Sequence, residues 1–478
     1  MENAEKLVPK RTFLAAHTFE VALAVVLGAL FLFYFFLWQQ KAPLYRLDSY
    51  GYLETSQDLN DWSLEELHRR SPGYPILMRL TGVQTDQDSG QLLFFVQLLM
   101  HFGMTAVAVL TLRALQVRRV VPLVVLLVLA LEPLIVGASA LAMSETFTIF
   151  LVVVGTCALL LYLNGRSWLY ALLSGAMLGY LTLVRPTFQL LAAVVVGILV
   201  LAALLWPHLR RRAAVAGVFN VLFTGLLLGG FILFNKQQFG FGGLTPLAGF
   251  NLATRTPHAL ELIPDEYAAV REILIRYRHD TITTEPHKTS PIGITRYIWA
   301  AVPELKAELG MNDIELAEFL VNINVDLIRR APNLYIEEVS MMFGNYWQPF
   351  SPDPVLVRGA PFYALSGLHA LKVIFILLMT GALTTALLLF LLTRRSVGRM
   401  VAARLKTADH VKLIGVTLWL TISLYNLLIS IMMDVGSPRH RLPTDMLLIM
   451  SAVIALDYLL HVRQLLPALA ARLQPARA

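Results

Sequence analysis

Ten apolar stretches, each near the roughly 20 residues that cross a ~30 Å hydrocarbon core, lie at 19–38, 91–112, 120–140, 145–163, 168–184, 187–206, 213–234, 368–393, 411–433 and 442–461. The pattern predicts an all-α polytopic membrane protein with about ten transmembrane helices. One long polar stretch, from Asn235 to about Gly367, interrupts the series and is punctuated by prolines from Pro246 to Pro332. Within it, Asp313 followed by Leu316, Phe319, Leu320, Ile323 and Leu327 has helical spacing with Asp313 as N-cap, and Pro264 to Tyr277 reads as another helix. The chain therefore divides into an N-terminal transmembrane module, 1–234, with its first outside loop at 39–90; a mainly helical extracytoplasmic domain, 235–367; and C-terminal transmembrane helices, 368–478. No internal repeat is detectable. Gly240-Phe241-Gly242-Gly243 is a flexible turn, since neither a Lys-Ser/Thr nor a strand-helix frame accompanies it.

Composition agrees. The chain is 57% hydrophobic and 15% charged over 478 residues, whereas a soluble domain is nearer ~45–50% apolar. Its net charge of +7 does not point to nucleic acid, because Lys and Arg gather at the ends of apolar stretches. Segments read as inside hold 19 basic residues and the short outside loops 8, which places both termini in the cytoplasm. The expected location is the bacterial plasma (inner) membrane. The first stretch, Val21 to Trp38, is too long for a signal-peptide core and reads as a retained helix. Cys157 stands alone, so no internal disulfide forms, and no Cys/His cluster has zinc spacing.

Charges that run against the positive-inside bias call for another explanation. Arg70, Arg185, Arg439 and Arg441 all fall on the outside. Any one of them could be a snorkelling anchor, but guanidinium forks also suit an anionic ligand, phosphate above all. Asp48, about ten residues beyond the first span, either caps a short helix containing Tyr50, Leu53 and Glu54 or serves chemistry. Ser63-Leu64-Glu65-Glu66 has a capping-box pattern that launches a second short helix ending at Arg69-Arg70, and Ser71-Pro72-Gly73-Tyr74-Pro75 is a rigid turn. Glu145 complements a helix N-terminus or joins the site. Glu132, inside the third span, is costly there and is expected to face a polar cavity or carry a proton. His258, His287, His369 and His440 are scattered singly and read as surface or interface residues. Trp38, Tyr45, Trp62, Trp347 and Tyr363 read mainly as interfacial aromatics.

Several of these pieces, in this order, resemble the GT-C superfamily of membrane glycosyltransferases that use polyprenyl-phosphate sugars, in particular the branch with protein O-mannosyltransferases and the aminoarabinose transferase of lipid A. The likeness rests on the Asp48 loop with Tyr50 and Tyr52, on Arg70-Ser71-Pro72-Gly73-Tyr74-Pro75, on Met143-Ser144-Glu145, on Gly175 to Gly179 leading into Leu183-Val184-Arg185-Pro186, and on Arg441-Leu442-Pro443. It covers most of the transmembrane part and none of 235–367. The resemblance implies Asp48 as the catalytic carboxylate, with Glu54 or Glu145 as a second acid, since Ser49 stands where many members have a neighbouring carboxylate. Arg70 would contact donor phosphate by position, joined by Arg439 and Arg441, and Tyr50, Tyr52, Tyr74 and Arg185 would line the substrate. The expected partners are a polyprenyl-phosphate-linked sugar, a lipid, glycan or protein acceptor, and the bilayer, with no nucleic acid. No cofactor follows, and a divalent metal is left open. The expected reaction is an inverting transfer to an acceptor hydroxyl with Asp48 as general base. The alternatives are a transporter or flippase of lipid-linked sugars, a glycan polymerase or ligase, and a non-catalytic scaffold.

Overall fold

The computed structural model describes residues 18–61, 70–85, 88–117, 119–284, 297–348, 369–379, 381, 407–434 and 436–473. Helix α1 (Thr18–Trp38) leads to two short helices, α2 (Leu47–Asp61) and α3 (Gly73–Leu80). Then come α4 (Gln91–Ala114), α5 (Val120–Ala130), α6 (Glu145–Leu163), α7 (Leu169–Val184), α8 (Leu191–Leu205) and α9, which runs from Pro207 to Phe239 through a π-helical segment at Gly225–Gly229. A more polar set follows: α10 (Ala248–Ala253), α11 (Ala268–Thr284), α12 (Tyr297–Leu309), α13 (Asp313–Arg330) and α14 (Pro332–Tyr346). The last helices are α15 (His369–Met379), α16 (Thr407–Met433) and α17 (Pro438–Leu473).

Seven of these, namely α1, α4, α6, α8 with its preceding turn, α9, α16 and α17, are long and apolar enough to cross a membrane. Helices α5, α7 and α15 are shorter apolar helices at the places of the other three predicted spans. The chain is thus an integral membrane protein of the all-α class. Among the described residues the only β feature is an isolated parallel bridge between Leu44 and Leu141.

Burial sorts the apolar helices into centre and rim. The apolar windows of α6 and α17 are 83% and 78% buried, against 22% for α1 and 11% for α9. A helix that is apolar all round has no polar face to give to water, so the exposed sides of α1 and α9 are suited to lipid. Trp38, expected among the interfacial aromatics, is instead buried beside Tyr34, with ring centroids 4.9 Å apart. On α7, a Cβ at Gly175 would lie 2.7 Å from the Phe219 carbonyl oxygen, and one at Gly179 would lie 3.0 Å from the Phe223 backbone. The Gly175–Gly179 pair therefore serves close packing of α7 on α9, as small residues four apart do in membranes.

The predicted span 120–140 is not one helix. Pro133 has no amide hydrogen and disfavours helical geometry at the residue before it. Accordingly α5 stops at Ala130, Glu132 is extended (φ −57°, ψ 133°), and a short helix Pro133–Val136 gives way to a 3-10 turn at Gly137–Ala140. The next residues run back beside the first loop: the Leu44 amide donates to Ala140 O (2.8 Å), and the Ala142 amide to Leu44 O (3.0 Å). This lays the loop that carries Asp48 against the start of α6.

Helices α10 to α14 build much of a second hydrophobic core, around Phe250, Leu274, Ile298, Leu305, Leu316 and Leu320, apart from the transmembrane one. The predicted N-cap is shifted by one residue. Asn312 is the cap: its side-chain oxygen accepts from the Ile314 and Glu315 amides (2.9 and 3.0 Å), and Glu315 reciprocates to the Asn312 amide (2.9 Å). Asp313 pairs with Lys306 instead (2.7 Å). Helices α10 and α13 cross at Gly249, where a Cβ would fall 2.0 Å from Ala317 O. Gly249→Ala should therefore cost about 1–3 kcal/mol, the usual penalty for overpacking, and lower the melting temperature in detergent. An unchanged melting curve would show that this crossing does not depend on the glycine.

Candidate active site

The site is assembled from four separated parts of the chain. Asp48 lies in the first turn of α2, Arg70 just before α3, Glu145 at the start of α6, and Arg439 in the first turn of α17. Arg70 donates through Nη2 to Asp48 Oδ1 at 3.0 Å, and Arg439 through Nη1 to Asp48 Oδ2 at 2.5 Å. Arg439 Nε lies 3.1 Å from Glu145 Oε1, and Arg185 Nη2 lies 3.6 Å from the same oxygen. Asp48 and Glu145 thus meet three guanidiniums, and Arg439 bridges the two carboxylates.

Asp48 is 32% exposed, while Glu145 is buried behind Arg439. Burial by itself raises a carboxyl, but the Arg439 and Arg70 charges outweigh it and hold Asp48 well below the usual carboxylate range. Both Asp48 oxygens are engaged by arginines, and Asp48 is the second residue of α2, one position inside the helix and past the N-cap. Glu145 Oε2 and Arg185 Nη1 are buried with no hydrogen-bond partner. Buried polar atoms are ordinarily satisfied, so this pair marks unused bonding capacity at the site.

Aromatic residues support the charged cluster. The Arg70 guanidinium sits over the Tyr52 ring at 5.2 Å, a cation–π arrangement. Tyr52 Oη is 3.1 Å from Ser144 Oγ, and its ring meets Tyr74 edge-on at 5.0 Å. Tyr74 donates to Gln97 Oε1 (3.1 Å), and Gln97 Nε2 donates to the carbonyls of Ser139 (3.0 Å) and Leu141 (2.8 Å). A buried amide on α4 therefore ties the floor of the site to the broken end of the third predicted span.

Helical phase decides which predicted residues take part. At 100° per residue, Asp48 and Tyr52 share one face of α2, whereas Tyr50 and Glu54 point away. Tyr50 is 45% exposed, Glu54 is exposed, and neither joins the cluster. Arg439 and Arg441 are likewise about 200° apart on α17, so the expected trio of Arg70, Arg439 and Arg441 is not brought together. Arg441 is buried on the other side: its Nε donates to Asp445 Oδ1 (2.9 Å), its Nη1 to the carbonyls of Tyr346 (2.6 Å) and Gln348 (3.1 Å), and its Nη2 lies 3.1 Å from His369 Nε2. Lys372 connects this group to Glu132 (2.6 Å) and reaches Asp445 at 3.8 Å. Glu132 therefore faces a lysine counter-ion and not a polar cavity, and His369 and His440 are buried, not superficial. Two acids and two bases cancel in this second cluster, which reads as an internal tie.

Lys372, Asp445 and Gln97 did not stand out from the sequence pattern. The available signal was their polarity within or beside apolar stretches. Arg69 and the Ser63-Leu64-Glu65-Glu66 capping pattern lie outside the described residues. Among the described residues, no group of three or more His, Cys, Asp or Glu side chains could hold a metal ion. No known family matches the chain, and no curated protein matches it.

Proposed function

We propose that this protein is a membrane glycosyltransferase that moves a sugar from a polyprenyl-phosphate donor to an acceptor hydroxyl at the extracytoplasmic face, with inversion. The observation that carries the reading is the convergence of Asp48, Glu145, Arg70, Arg185 and Arg439 beside a loop that lies against membrane helices. Two carboxylates against three guanidiniums leave one positive charge (3 − 2) among these residues. That excess suits the single negative charge of a phosphodiester donor better than the larger charge of a diphosphate-linked one.

In this reading Asp48 accepts the proton of the acceptor hydroxyl, whose oxygen attacks the anomeric carbon. The bond from that carbon to the phosphate oxygen breaks, and the lipid phosphate departs with the electron pair. Arg70 and Arg439 offset the charge that develops there. A carboxylate neutralised by two guanidiniums is a poor base, so donor binding does double duty: phosphate draws Arg70 and Arg439 away and restores basicity to Asp48. Glu145, buried and paired with Arg439 and Arg185, is a positioning residue. A lipid-linked sugar transporter would also use buried charge. Among the described residues, however, the Glu132–Lys372–Asp445–Arg441 charges are paired with one another, with side chains 1–2% exposed.

The donor site is tested by turnover against polyprenyl-phosphate-sugar concentration for the purified protein in nanodiscs. Arg70→Lys and Arg439→Lys keep the charge and lose the fork; each should raise the donor KM about tenfold, the scale of one lost charge-assisted hydrogen bond. Unchanged donor dependence in both variants would remove phosphate from the reading.

The same proposal sets both termini in the cytoplasm, the α10–α14 unit outside, and the protein in a bacterial plasma membrane, on the 19-to-8 asymmetry of basic residues. With the buried Cys157 replaced by Ala, a cysteine at the exposed Thr283 should react with an impermeant reagent added outside. Protection until the membrane is permeabilised would reverse the orientation.

A further inference from the structure

The cluster at Asp48 lies at one end of the apolar helices, and a separate feature lies at the other. Arg185 stands before α8 and Arg210 just beyond its far end, and the 15 residues of α8 separate them by about 22 Å along its axis. At that far end an open groove of about 680 Å³ runs between α8 and α9. Its lining includes Leu199 and Ala203 of α8 and Arg210, Ala213, Gly217 and Val221 of α9, and Arg210 is the one polar residue in it among the described residues. The spacing of three and four residues puts each set on one helix face. Both helices belong to the rim, with apolar windows 28% and 11% buried.

The length of the groove suits a hydrocarbon chain. From Arg210 to Val221 it runs about 17 Å, close to one leaflet's half of a ~30 Å core. Small residues keep it open: a Cβ on Gly217 would meet only Leu199 Cδ1, at 3.9 Å. Left empty, such walls forfeit dispersion contacts, and water finds no set of polar partners along them. The mouth is cationic. Arg210 Nε donates to the Ala203 carbonyl at 3.1 Å, which pins the guanidinium across the groove from α9 to α8, and its Nη1 and Nη2 have no partner among the described residues. Arg211 beside it is exposed, Arg212 donates through Nη1 to Leu163 O at 3.1 Å, and no acidic residue stands in this turn to offset the three charges. A snorkelling anchor would account for one such arginine, but it would leave the groove unfilled.

We propose that the α8–α9 groove binds an anionic glycerophospholipid, with one acyl chain along Ala203, Ala213, Gly217 and Val221 and the headgroup phosphate on Nη1 and Nη2 of Arg210. Basic pockets between membrane helices receive such headgroups elsewhere. Groove and charge act together, since the groove accepts any acyl chain and the arginine selects an anionic one. In the orientation proposed above, this lipid comes from the cytoplasmic leaflet, opposite Asp48. The site does not rest on the transferase reading, and it is tested by binding alone.

The test uses the full chain, purified in detergent and stripped of lipid, with thermal unfolding followed at rising phosphatidylglycerol and, separately, rising phosphatidylcholine of the same acyl chains. Phosphatidylglycerol should raise the melting temperature by about 2 °C or more, and phosphatidylcholine by clearly less. Arg210→Gln should shift the phosphatidylglycerol response to about fivefold higher lipid, the scale of one basic residue at an anionic surface. Gly217→Phe fills the groove from a position with room for a Cβ; it should fold as the parent does and lose the response. Arg119→Gln, which removes a basic residue at the start of α5, should keep it. Phosphatidylglycerol with a photoreactive group on its acyl chain should label peptides of α8 and α9. Equal responses to the two lipids, an undiminished response in both groove variants, or labelling confined to other helices, as when a second copy or another segment of the chain fills the groove, would overturn the proposal.

Discussion

Asp48→Asn should cut sugar transfer by roughly 10²-fold or more, the scale of a lost general base, while the protein still folds. Asparagine keeps the size of aspartate and the ability to sit in a first helical turn, and Arg439 retains Glu145 as a partner. The steady-state pattern should be diagnostic. With the competing carboxylate gone, Arg70 and Arg439 are free for phosphate, so kcat should fall while the donor KM stays level or drops. A loss confined to folded yield would make Asp48 a structural ion-pair partner. Near-normal transfer would remove it from the chemistry.

The opposite signature is expected two residues beyond Arg439. Arg441→Ala leaves Asp445 buried with Lys372 at 3.8 Å as its remaining cation, and it strips hydrogen bonds from the carbonyls of Tyr346 and Gln348. Breaking a buried pair from one side costs about 3–5 kcal/mol, a large part of a typical total of ~5–15. Folded yield and melting temperature in detergent should therefore collapse, and Arg441→Lys should be intermediate. An Arg441→Ala protein of normal stability with altered donor dependence would return this arginine to the phosphate site.

The contrast between Arg439 and Arg441 shows how far residue types alone could carry the reading. Apolar length was enough to mark an all-α membrane protein and to locate the seven helices long enough to span, because crossing a bilayer imposes a minimum run of hydrophobic residues. It was not enough to place the break at Pro133, since the apolar run resumes at Leu134-Ile135-Val136 directly beyond Glu132 and Pro133. Asp48, Arg70, Arg439, Glu145, Tyr52 and Tyr74 were legible as candidates, and they do converge. What the sequence obscured was direction. Residues two apart on a helix face opposite ways, so Tyr50, Glu54 and Arg441 were grouped with neighbours whose surroundings they do not share. The Glu132–Lys372 pair spans 240 positions, and nothing in a linear pattern links two such residues.

The bridge between Asp48 and Arg439 joins residues 391 positions apart. A chain emerging from a ribosome delivers the carboxylates of the first loop and of α6 long before the arginine of α17. Every partially synthesised or truncated product lacking that last helix holds Asp48 and Glu145 without the cation that bridges them. Under the proposed function, competence for transfer therefore waits until α17 has inserted and brought Arg439 to the two carboxylates.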